Sequence, residues 1–70
     1  MYRFKKEKYH EFIYQMNTCE LSINEIAKIV DYSRQWLSGV LKGKTKVKKI
    51  MARELSSLVG RDVDYYFEKI

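Results

Sequence analysis

The chain has 70 residues, one cysteine, no proline and a formal net charge of +5. That length makes a single small domain, residues 1–70, with a marginal core, since such a chain buries only about 60% of its unfolded surface. An apolar fraction of 46% argues against a disordered chain, the lone Cys19 excludes an intrachain disulfide and a cysteine metal site, and uncharged runs such as Gln35 to Leu41 are far too short to span a bilayer.

The N-terminal "MYRFKKEKYH" is basic but lacks the apolar stretch of a signal peptide. The expectation is a soluble protein of the cytosol. "YRFKKEK" reads either as the frayed start of the first helix, the favoured reading, or as an arm that follows a nucleic-acid backbone. The first helix is predicted over Lys5 to Asn17, with Tyr9, Phe12, Ile13 and Met16 spaced i, i+3, i+4, i+7 as one apolar stripe. His10 lies on its surface with no partner spaced for catalysis or metal binding. Cys19 in the following turn reads as a small, partly buried residue.

"SINE" is a capping box: Ser22 accepts from the Glu25 amide while Glu25 reaches back to the Ser22 amide. It opens a second helix with Ile26, Ile29 and Val30 inward and Ala27 beside them. After "DYS", Ser33 caps a third helix, Arg34 to Lys42, with Leu37, Val40 and Leu41 buried and Gly43 as its terminator. Tyr32 also counts among the packing positions. A fourth helix is predicted over Val47 to Val59, with Val47, Ile50, Met51, Leu55, Leu58 and Val59 at helical spacing, closed by Gly60. Asp62 then caps a last helix whose stripe is Val63, Tyr66, Phe67 and Ile70. No alternating run argues for a strand. The predicted class is all-α: five short helices around one core.

The short link between the second and third helices forces a steep crossing and leaves the third projecting. Here "LSINEIAKIVDYSRQWLSGVLKGKTK", followed by "LSSLVGRDVDYYF", resembles the Cro/repressor-type helix-turn-helix proteins of bacteriophages and bacteria, the xenobiotic-response-element family. The resemblance covers about Ser22 to Phe67, with the helix-turn-helix at about 23–42. It implies a lambda-repressor-like fold, a third helix that enters the major groove of DNA, and binding as a twofold dimer to a palindromic operator. The chain departs from the family pattern at Asp31, where glycine is usual, at Ile23, where glutamine is common, and at Val47-Lys48-Lys49, where proline is common.

Charge supports the same partner. From Tyr32 to Arg53 the chain holds seven of its fourteen Lys and Arg residues and none of its nine acids. The base-reading candidates are Ser33, Arg34, Gln35, Ser38 and Lys42 on the third helix, since Arg donates twice to guanine and Gln pairs bidentately with adenine. The phosphate-binding candidates are Lys44, Thr45, Lys46, Lys48 and Lys49; cations at the start of the fourth helix oppose its dipole, so an anion is expected there. Gly39 is expected to permit close approach of DNA backbone or of a neighbouring helix. Trp36 either packs on the second helix or contacts a sugar or thymine methyl in the groove. Tyr65, Tyr66 or Ile70 would supply dimer contacts. The sequence therefore predicts a DNA-binding transcriptional regulator, a Cro-like repressor of phage or mobile-element origin in the bacterial cytosol. It is not expected to be an enzyme or to need a cofactor, metal or small-molecule ligand. The alternative is a phage-encoded protein-interaction module or inhibitor on the same fold.

Overall fold

Hydrophobic spacing, with side-chain caps on two of them, produces five α-helices in the computed structural model, which describes residues 1–70. They are α1 (Tyr9–Thr18), α2 (Ile23–Val30), α3 (Arg34–Leu41), α4 (Lys49–Leu58) and α5 (Val63–Tyr66). No helix is long and apolar enough to cross a membrane. The mostly helical class stands as predicted, but all-α does not. Two short strands, β1 (Tyr2–Phe4) and β2 (Phe67–Lys69), pair antiparallel with Phe4 opposite Phe67.

Both termini thus depart from expectation. The basic N-terminal segment is not a frayed helix start: it forms β1, then a 3-10 turn at Lys6–Lys8, and α1 begins only at Tyr9. Phe4 drives this. It is fully buried, with its ring centroid 5.4 Å from Phe12, 5.7 Å from Tyr66 and 5.3 Å from Phe67. Each aromatic pair adds about 0.5–1.5 kcal/mol beyond area burial. At the other end the helical stripe stops at Tyr66, and Phe67 turns extended (φ −122°, ψ 151°). A continued helix would hold Phe67 and Ile70 on one face. The strand instead turns Phe67 inward and leaves Glu68, Lys69 and Ile70 exposed. Asp62 occupies the cap position of α5, but its side chain accepts no capping bond.

β1 is flanked on both sides. Beyond β2 on one side, Tyr2 exchanges two backbone hydrogen bonds with Val47 on the other, 2.7 and 2.8 Å. Val47 is therefore a buried bridge residue and not the first turn of a helix.

The core joins Phe4, Phe12, Met16, Ile26, Leu37, Leu41, Leu55 and their neighbours into one cluster. Ala27, the small residue of α2, is buried, and α2 packs against α3. Three predicted inward residues are instead exposed: Ile29 and Tyr32 each at 50% and Ile50 at 81%. The reason in α4 is plain. Its buried face is Ala52, Leu55 and Ser56, continued by Val59, at i, i+3, i+4, i+7, and Ile50 lies off that face. In α2 the buried set is Ile26, Ala27 and Val30, which leaves Ile29 outside. Cys19, at the end of α1, is also exposed rather than partly buried.

Candidate nucleic-acid interface

Two caps and a left-handed residue set the α2–α3 pair. Ser22 Oγ accepts from the Glu25 amide at 3.1 Å, and the Ser22 amide donates to Glu25 Oε1 at 2.8 Å. The helix ends at Asp31, whose φ of 62° and ψ of 45° lie in the left-handed region. That conformation favours glycine, and a short polar residue such as Asp is among the few others that adopt it. Ser33 then caps α3 by accepting from the Trp36 amide at 3.0 Å.

Burial splits α3 into two sides. Leu37, Val40 and Leu41 are fully buried. Ser33, Arg34, Gln35 and Lys42 are exposed, and Ser38 and Gly39 are half-buried. Arg34, Gln35 and Ser38 line one depression with Ser22, Ile23 and Asn24 from the start of α2. Three of these, Ser22, Ile23 and Asn24, were not among the predicted site residues; only the cap role of Ser22 was legible.

The segment after α3 folds back on it. Gly39 carbonyl accepts from the Lys44 and Thr45 amides at 2.9 and 3.3 Å. A Cβ on Gly39 would stand 3.0 Å from Thr45 Oγ1. The close approach that Gly39 permits is therefore from its own loop, not from a neighbouring helix. Gly43 makes the turn with φ 77°, the left-handed conformation that glycine adopts without a Cβ penalty.

Lys42, Lys44, Lys46, Lys48 and Lys49 are all exposed. None forms an ion pair; the two ion pairs are Arg3–Glu68 at 3.4 Å and Lys8–Glu11 at 3.9 Å. α4 starts at Lys48 with no side-chain cap and no acid in its first turn. Its positive dipole end is thus uncompensated. Four of these lysines line two separate depressions. Lys42 and Lys44 line a depression with Arg3 and Lys6 from the N-terminal segment, with Glu7 and Glu68 also in its wall. Lys46 and Lys48 line a separate groove with Trp36. Arg3 and Lys6 belong to the "YRFKKEK" cluster, whose less favoured reading is an arm along a nucleic-acid backbone; the structure puts them beside Lys42 and Lys44.

Trp36 is half-buried. Its ring stacks on Tyr32 at 4.0 Å, in the turn and not on α2 itself. Of the three residues expected at a dimer contact, Tyr66 is fully buried and cannot serve. Burial and the nearby Glu11 carboxylate, which accepts from its hydroxyl at 3.4 Å, push the Tyr66 pKa up to about 12. Tyr65 is half-buried, with Lys8 and Arg61 over its ring at 4.2 and 4.7 Å. Ile70 remains exposed at 52%. No group of three or more His, Cys, Asp or Glu side chains is disposed to hold a metal ion. No protein-family model, curated protein or solved structure matches the chain.

Proposed function

We propose that the protein is a sequence-specific double-stranded DNA-binding regulator, a Cro-type repressor whose α2–α3 pair is a helix-turn-helix on a lambda-repressor-like scaffold. It acts by occupying an operator. The observation that carries this reading is the two-sidedness of α3. Its apolar side is wholly in the core, while Arg34 and Gln35 stand exposed in its first turn, and the lysines that follow the helix are exposed and unpaired.

α3 lies in the major groove with its N-terminal turn deepest. Arg34 donates twice to a guanine and Gln35 pairs with an adenine, each pairing worth about 1–3 kcal/mol of discrimination. Ser33, Ser38 and Lys42 complete the reading surface. Lys44, Lys46, Lys48 and Lys49 take phosphates, with Thr45 beside them. Lys6 joins the phosphate contacts because it lines the same depression as Lys42 and Lys44. One such helix reads few base pairs, so two copies bind a palindrome, with Ile70 at the contact between them.

Selection of bound duplexes from a random DNA pool tests the reading. The expected product is a palindromic motif, and Gln35→Ala should relax one base position in each half-site. A pool that enriches no motif would remove sequence-specific binding, and an unchanged motif in Gln35→Ala would displace Gln35 from the reading role.

A further inference from the structure

The turn before α3, α3 itself, the 46–48 loop and the start of α4 leave a groove whose floor and walls include Tyr32, Trp36, Ile50 and Met51, with Met1 at its side. Two of these, Tyr32 at 50% and Ile50 at 81%, are among the most exposed large apolar residues of the chain. The helices do not need them: the inward face of α4 is complete with Ala52, Leu55 and Ser56. Clustered exposed apolar side chains mark interaction surfaces, whereas scattered ones do not. The Tyr32–Trp36 stack gives the groove a wall of two flat rings 4.0 Å apart.

The only charged side chains that line it are those of Lys46 and Lys48, neither ion-paired. From these features we infer that the groove receives an acidic amphipathic protein segment, whose apolar side chains fill the floor while its carboxylates meet Lys46 and Lys48. Charge complementarity selects this occupant. A second copy packed through the same face would set these lysines against their own equivalents. A bilayer surface is too flat to enter the groove and reach its floor. Because the two lysines also serve as phosphate contacts in the proposed function, the segment and a duplex exclude each other, and the partner releases DNA. This last clause rests on the DNA reading; binding of the segment does not.

Short random peptides displayed for selection test the groove directly, with deselection on Ile50→Asp. That residue is exposed enough for the substitution to leave the fold intact, checked by an unchanged thermal melt. The expected consensus pairs apolar residues with Asp or Glu. The synthesised peptide should shift the emission of Trp36, the only tryptophan, to the blue. The Lys46→Ala, Lys48→Ala double variant should bind it about tenfold more weakly. No enrichment, a basic or uncharged consensus, or binding indifferent to Ile50→Asp would overturn the inference. So would a blue shift in the protein alone that tracks a doubling of mass, or one produced by anionic phosphatidylglycerol vesicles and by no peptide. In a final arm the peptide competes with a selected duplex. If no duplex binds at all, the DNA reading falls and the groove stands; if duplex and peptide bind together, the shared role of the lysines is refuted.

Discussion

Ser56 is the one buried side-chain oxygen that finds no hydrogen-bond partner. A polar group in that position costs stability, and alanine both removes it and favours helix. Ser56→Ala is expected to be neutral or to stabilise by about 1 kcal/mol, a rise of roughly 4–8 °C in Tm; a clear fall in Tm would reveal a partner for the hydroxyl. Tyr66 carries a different prediction. Its pKa is raised from 10.0 to about 12. Below pH 10 both folded and unfolded chains keep this proton, so it confers no pH dependence. Between 10 and 12 the unfolded chain loses the proton first, and stability falls as pH rises, by about 1.4 kcal/mol per unit. Urea unfolding at about pH 9 and pH 11 should show a smaller alkaline loss in Tyr66→Phe than in the parent. Residues with local roles were legible. Ser22 and Ser33 cap through partners three positions away, and such bonds follow from sequence spacing alone. Ile29 and Ile50 were misplaced because helical spacing shows which residues share a face but not how wide a buried arc the neighbours will cover; Tyr32 lies in the turn, where no helical spacing fixes its side.

At the scale of the element, α4 separates stability from binding. Its first turn carries Lys49 and no acid, against the helix dipole. Lys49→Glu should therefore stabilise the fold by about 0.3–1 kcal/mol while weakening duplex binding. Thermal melting and a binding titration on one preparation check both signs; a loss of both would mean that Lys49 has a structural role. The same helix shows where periodicity misled. Small buried residues, Ala52 and Ser56, carry its inner face, and they register weakly beside the larger Ile50 and Met51. The strands escaped for a related reason. Each has three residues, too few to display an alternation, and Tyr66-Phe67 fits a helical stripe as well as the end of a helix followed by an inward strand residue. Only the partner Phe4, far away in sequence, decides between them.

For the whole molecule, charge sets the expected behaviour with DNA. Affinity should fall with salt at a log–log slope of roughly −0.9 per phosphate neutralised. Lys44→Ala, Lys46→Ala and Lys6→Ala should each weaken all sequences alike and flatten the slope by about one unit. Salt-independent affinity would contradict phosphate contact altogether. The acid-free stretch from Tyr32 to Arg53 was readable from sequence, and so was the exposed first turn of α3. The division of the lysines between two depressions was not, since it depends on β1 pinning the loop at Val47.

That pinning bears on the order in which the protein assembles. The Arg3–Glu68 pair spans 65 positions, so closing the β1–β2 ribbon restricts nearly the whole chain, whereas the turn between α2 and α3 restricts only a few residues. The ribbon should zip last and open first. Amide protons of Tyr2 and Val47 should then exchange with solvent faster than those of α3, and a sparsely populated form should exist in which α3 is already in place while the lysine loop still moves freely.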